Sequence, residues 1–465
     1  MFSDLSLDFT RLRHAYAHQG LTPMALIDEV YRRIAQRGED HVWLHLEPRE
    51  QALRRAAELH RRRIAGEDLP LYGLPYGVKD NIDVAGMPTT SACTGFRYIA
   101  TEDAAVVERL RAAGAVLIGK QNMDQFATGL VGVRNLGGSC RNAFDPDYIP
   151  GGSSSGSAVA VAAGLVAFSI GSDTGGSGRI PAACNNIVGL KPTPGLVSTH
   201  GFVYCNRSFD VAPVFALTVN DAYQVLEVLA GSDSRDLYSV DHPLATADES
   251  LGSFRFAIVS DEQLEFFGDE QARRQFQRTV ALMTDMGGTP HPIDFGAFLE
   301  AGRMLFDSPL LAERWLTYAD TLARVPETVH PAVRSALEKA AQYDAAQTFA
   351  TLHRLRALRR EAHQLLRNFD ALLVPTYARL PTCSEVEADP LQVNTRMGYY
   401  TYFANPLHLS AVSVPVGLRD DGLPFGVSLL GLPFHDLRLR RLATALQVQA
   451  GGSLGATGLS QPGCL

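Results

Sequence analysis

The chain has 465 residues, 46% of them hydrophobic and 20% charged, with a formal net charge of -8. This is enough apolar material for a large buried core, and length alone would allow two or three domains. No run of lysines and arginines forms a basic patch, which excludes the electrostatic footprint of a nucleic-acid binder; Arg61, Arg62 and Arg63 read as a solvated helix face. The longest apolar run, near Ala158 to Ile170, is too short to span a bilayer, and no apolar stretch follows a basic start at the N-terminus. Neither export nor membrane insertion is expected. The cysteines Cys93, Cys140, Cys184, Cys205, Cys383 and Cys464 show no C-x-x-C pair and no metal-finger spacing. They read as reduced thiols of a cytoplasmic protein, with no metal and no cofactor expected.

In chain order, helices are expected over about residues 1–65. The clearest is LTPMALIDEVYRRIAQRG: Thr22 caps it, Pro23 suits its first turn, Leu26, Val30 and Ile34 recur at helical spacing, and Gly38 ends it. From Leu71 onward short apolar strands alternate with helices. DAAVVERLRAAG is an amphipathic helix stopped by Gly114, and AVLIGK is a buried strand. The alternation predicts an α/β fold, a sheet covered by helices on both faces, with its core over about 66–230. Residues 261–367 carry longer, charged helical patterns and read as a helical insertion. The chain then returns to the sheet over about 368–447, opening with FDALLVPT. No internal repeat or low-complexity linker demands a second domain, so 1–465 is read as one. The glycine-rich tail after Gln447 is expected to fray.

Two clusters of small residues stand out. Gly151 to Ser157 precedes an alanine-valine helix, so its backbone N–H groups lie at a helix N-terminus, which favours negative charge. DTGGSG, from Asp173, follows the apolar strand LVAFSI, and its consecutive glycines let several N–H groups converge on one point, as an oxyanion hole requires. A serine hydroxyl is a weak nucleophile without a base. Lys79 is the candidate base. It ends a short apolar strand with no Glu or Arg beside it, and desolvation there would lower its pKa and free the neutral amine.

With these residues in place, Gly151 to Thr193 resembles the amidase signature, and Lys79 falls on that family's lysine. The resemblance runs from the helix at Thr22 through FDALLVPT to GLPFGVSLLG. It implies the amidase-signature fold with a large mixed sheet, and a Ser-Ser-Lys triad with Ser177 as nucleophile, Ser153 as the bridging serine on a cis peptide, and Lys79 as base. An oxyanion hole of the N–H groups of Thr174, Gly175, Gly176 and Ser177 is implied as well. Asp173 and Arg179 are expected to pair and hold the nucleophile loop, and Ser154 and Ser155 to serve as capping or supporting residues. A homodimer is the family-level expectation.

Several stretches, among them DNIDVAGMPTTSAC and NMDQFATGLVGVR, resemble the amidase portion of allophanate hydrolases. In that subfamily a tyrosine and an arginine eight residues apart grip the small anionic ureide. Here the arginine is Arg314, implied to hold a carboxylate, and the tyrosine position is Phe306, which lacks the hydroxyl. Many allophanate hydrolases continue into a smaller C-terminal domain that this sequence does not show. The resemblance then implies a separate partner, or a related carboxylated urea or amide as substrate. The alternatives are the glutaminase subunit of a tRNA-dependent amidotransferase, a general acylamidase, and a non-catalytic scaffold.

Three motif matches are set aside. Gly152 to Gly156 fits a G-x-S-x-G nucleophile elbow, but turn chemistry rather than a strand precedes it. GAVLIGKQ approaches a phosphate-binding loop, yet it reads as a strand and Gln121 stands where Ser or Thr would hold magnesium. Cys184 or Cys205 with His200 reads as a buried thiol beside an unrelated histidine.

Overall fold

The structure, a computed structural model, describes residues 5–244 and 252–461; Cys464 lies outside them. Its centre is one sheet of eleven strands. From one edge to the other they are Trp43–Leu46, Val116–Gln121, Pro75–Lys79, Phe168–Ile170, Val214–Ala216, Val188–Lys191, Ser410–Leu418, Pro424–Gly431, Ala371–Pro375, Phe254–Val259 and Gly288–Ile293. Parallel pairs flank Pro75–Lys79 and Phe254–Val259, and the other pairings are antiparallel. The sheet is therefore mixed, as the family resemblance implies. Side chains alternate between faces along a strand, so a strand buried at every position is covered on both. Pro75–Lys79, Val116–Gln121 and Pro424–Gly431 are buried throughout.

The helix at Thr22 forms as read. It spans Pro23–Arg37, the Thr22 side chain accepts from the Ala25 N–H, and Gly38 ends it at a φ of 68°. The amphipathic helix is Ala105–Ala112, and the strand after it is Val116–Gln121. Among the described residues no helix is long and apolar enough to cross a membrane.

Two expectations give way. The segment 261–367 is not purely helical, because Gly288–Ile293 adds a parallel edge strand to Phe254–Val259. Its two prolines, Pro290 and Pro292, hide the strand signal, and an edge position is where a strand tolerates them. The described part of the glycine-rich tail is packed rather than frayed. Leu454 is buried, its N–H donates to the Leu459 carbonyl, and the Gly455 N–H donates to the Asn186 carbonyl. The Ala456 N–H donates to the Ala162 carbonyl, and Asn186 Nδ2 donates to the Ser453 and Gly455 carbonyls, so the segment is held at several points.

Pro75–Lys79 and Phe168–Ile170 run parallel with Val78 opposite Ile170, so both strands end at the same side of the sheet. The segment after each is delivered to one place. In open α/β sheets that place is where sites form.

Candidate active site

Lys79 is the last residue of its strand, and Ser172 lies two residues past the end of the neighbouring strand. Their side chains meet: Lys79 Nζ lies 2.8 Å from Ser172 Oγ, 3.4 Å from the Ser172 carbonyl and 2.7 Å from Ser153 Oγ. Lys79 is fully buried, and no carboxylate among the described residues lies within ion-pair distance of it. Burial therefore dominates and lowers its pKa to about 8. Lys79 Nζ thus donates to three oxygens, one of Ser153 and two of Ser172.

Ser153 follows Gly152 through a cis peptide bond, and its carbonyl accepts from the Asp124 N–H at 2.9 Å. The helix Ser155–Ala162 begins immediately after, preceded by turns rather than a strand, so the nucleophile-elbow reading fails on structure as well. Ser154 does not cap that helix through its side chain. Its hydroxyl donates to the Ser172 carbonyl at 3.2 Å, tying the two serine loops together.

The second loop is shaped by Gly176, whose φ of 139° belongs to glycine and whose missing Cβ would lie 2.4 Å from Thr401 Oγ1. Beneath the loop, Arg179 Nε and Nη2 each lie 3.0 Å from an oxygen of Asp173, with both residues fully buried. The pair forms as read. Burial pushes the Asp173 carboxyl up, but the Arg179 guanidinium outweighs it and holds the group below its usual value. Arg179 also donates to the Thr401 carbonyl and to Asn405 Oδ1, both at 3.1 Å. Replacing Arg179 by Leu leaves Asp173 buried and unpaired. A loss of about 3–5 kcal/mol is expected in denaturant unfolding, and a loss below about 1 kcal/mol would contradict this role.

Of the four expected oxyanion donors, Gly176 is engaged, since its N–H donates to Asp173 Oδ1 at 2.8 Å. The N–H groups of Thr174, Gly175 and Ser177 have no acceptor among the described residues. The Ser177 hydroxyl is likewise free, in a residue only 3% exposed.

Arg314 lies on the first turn of the helix Ala312–Arg324 and is 1% exposed. Its Nε donates to Asn206 Oδ1 at 2.6 Å, and its guanidinium carbon stands 4.7 Å from the Phe306 ring centroid. Neither Nη1 nor Nη2 has a partner among the described residues, and no carboxylate pairs with it. Phe306 rests on Tyr402, with ring centroids 4.2 Å apart, and the two wall a cavity of about 130 Å³. Tyr402 in turn abuts Gly175, so one run of contacts joins Arg314 to the nucleophile loop. A second run passes through Asp210, whose buried carboxylate accepts from the Thr174 hydroxyl and from the N–H groups of Cys205 and Asn206, at 2.7 and 3.2 Å. Burial pushes that carboxyl up to about 6, against those hydrogen bonds.

Ser172, Asn206 and Asp210 escaped the reading of the sequence. For Ser172 a signal existed, a hydroxyl just past a strand that could run beside that of Lys79. The set-aside motifs stay set aside. Lys120 lies within a strand and donates to the Pro88 carbonyl and Thr89 Oγ1, and burial pushes the Cys184 and Cys205 thiols up.

The mixed sheet and the loops gathered at its strand ends are those of an amidase, an enzyme acting on linear amide C–N bonds. Residues 25–439 match the family model described as Amidase, and the chain belongs to the amidase family. It is 40% identical over 410 residues to urea amidolyase of Saccharomyces cerevisiae, covering 87% of this chain but only 22% of that protein. It is 34% identical over 483 residues to a glutamyl-tRNA(Gln) amidotransferase subunit from Symbiobacterium thermophilum, covering 95% of this chain and 96% of that one. Among solved structures it resembles Kluyveromyces lactis allophanate hydrolase, with a TM-score of 0.88 and 37% identity over 94% of this chain and 72% of the other. The chain thus spans about a fifth of the urea amidolyase that it matches.

Proposed function

We propose that the protein is an amidohydrolase that cleaves a small anionic ureide or amide, foremost allophanate, through an acyl-enzyme on Ser177. The neutral Lys79 amine takes the Ser153 proton as Ser153 takes that of Ser177. The Ser177 oxygen then attacks the amide carbonyl, and the developing oxyanion meets the free N–H groups of Thr174, Gly175 and Ser177. Ser153 hands a proton to the departing nitrogen, ammonia leaves, and water hydrolyses the acyl-serine by the same relay. The contact of 2.7 Å between Lys79 and Ser153 supports the first transfer, and the unpaired N–H groups support the oxyanion role.

The observation that carries the choice of substrate is Arg314. A buried charge is ordinarily paired, and this guanidinium has no anionic partner among the described residues. The partner it lacks is the substrate's carboxylate, held end-on by Nη1 and Nη2. The likeness to urea amidolyase and to allophanate hydrolase points the same way. Phe306 contributes its ring face to the guanidinium rather than a hydroxyl to the substrate.

Allophanate and biuret form the discriminating pair, because they differ by a carboxylate in place of a neutral amide. Arg314→Ala is expected to raise KM for allophanate roughly tenfold to hundredfold, the value of a charged hydrogen bond, while changing that for biuret little. Ammonia release measures both, and an unchanged KM for allophanate would refute the anchor.

The near full-length likeness to the amidotransferase chain favours a second reading, a glutaminase. Ammonia release from glutamine exceeding that from allophanate would select it.

A further inference from the structure

Resting on the anionic-substrate reading, we infer that Asn206 is a positioning residue for Arg314, fixing which edge of the guanidinium faces the substrate. Asn206 is fully buried, and both polar atoms of its side-chain amide are engaged. Its Nδ2 donates to the Leu310 carbonyl at 2.7 Å, and its Oδ1 accepts from Arg314 Nε at 2.6 Å. A carbonyl can only accept and an arginine can only donate, so both neighbours dictate the same orientation of the amide.

The consequence is geometric. A guanidinium can meet a carboxylate sideways, through Nε and one Nη, or end-on, through both Nη groups. Asn206 occupies Nε and leaves the end-on edge free. The Phe306 ring, 4.7 Å from the guanidinium carbon, covers one face of the group.

Asn206 also belongs to a loop that grips the whole helix bearing Arg314. In the segment 204–210 the Ser208 N–H donates to Glu313 Oε2 at 3.1 Å, and the Tyr204 carbonyl accepts from the Tyr318 hydroxyl at 2.8 Å. Leu310 lies in the 3-10 turn Pro309–Leu311 directly before that helix. At the loop's other end Asp210 binds the Thr174 hydroxyl in the nucleophile loop. The segment 204–210 is therefore a strut between the acyl-transfer loop and the anion anchor. It sets the spacing between the carbonyl under attack and the substrate's charged end.

The test compares kcat/KM for allophanate with that for biuret in wild type, Asn206→Leu, Asn206→Asp, Arg314→Ala and the Asn206→Leu/Arg314→Ala double variant. Asn206→Leu frees Nε and is expected to lower the allophanate-to-biuret ratio about tenfold, through KM rather than kcat. Asn206→Asp keeps the shape and supplies an internal anion to the arginine; its ratio is expected to fall further, so a poorly folding leucine variant does not end the test. The double variant is expected to match Arg314→Ala alone, because Asn206 acts through Arg314.

An unchanged ratio in Asn206→Leu and Asn206→Asp, with a lowered ratio in Arg314→Ala, would overturn the positioning role and leave the anionic-substrate reading standing. Equal losses on both substrates would mark Asn206 as merely structural and overturn it too. An unchanged ratio in Arg314→Ala would remove the reading itself, and the inference with it.

Discussion

Ser177→Ala is expected to lower kcat for amide hydrolysis by roughly four to six orders of magnitude, as for other serine nucleophiles whose hydroxyl is deleted. The substitution removes one oxygen that has no hydrogen-bond partner among the described residues, so nothing in the fold depends on it. The Asp173–Arg179 pair and the Lys79–Ser153 contact stay in place beneath the loop. The variant is therefore expected to unfold at the wild-type denaturant midpoint while releasing ammonia at a rate near background. Turnover within tenfold of wild type would remove Ser177 from the chemistry.

Lys79→Ala is expected to be nearly as damaging, and the wild-type enzyme should show the reason in its pH profile. A lysine acts as a base only without its proton. Burial lowers the Lys79 pKa to about 8, so the competent fraction rises with pH up to that value and saturates above it. kcat/KM should climb about tenfold per pH unit below 8 and level off beyond it. A limb still climbing toward 10.5 would mean a solvated lysine, and a profile flat from pH 6 to 9 would mean a different base. Because proton relay and attack form one unit, the Ser177→Ala/Lys79→Ala double variant should lose no more than the worse single variant.

How much of this was legible depends on how local each signal is. The helix at Pro23–Arg37 announced itself because its cap, first-turn proline and terminal glycine are neighbours in the chain. The Asp173–Arg179 pair was legible for the same reason, its partners standing six positions apart on one loop. Lys79 could be singled out as a charge at the end of an apolar strand, and the structure places it, buried, against Ser153.

Features that needed distant partners stayed hidden. Asn206 and Arg314 are 108 residues apart, and no periodicity or spacing links an asparagine to the arginine that it orients. Gly176 illustrates a subtler loss. Consecutive glycines suggest convergent N–H groups, but only the folded loop shows that Asp173 takes this one and leaves those of Thr174, Gly175 and Ser177 free. The edge strand Gly288–Ile293 was masked by its prolines, and the packed tail by glycines that suit tight turns as well as they suit disorder.

The claim on which the rest stands is that a deprotonated lysine activates Ser177 through Ser153. The most direct measurement is peptide mapping by mass spectrometry after treatment with a fluorophosphonate, in wild type and in Lys79→Ala. The account predicts one adduct, on Ser177, formed quickly by the wild-type protein and at least a hundredfold more slowly by the variant. Modification of another residue in step with inactivation, or equal labelling rates in the two proteins, would contradict it.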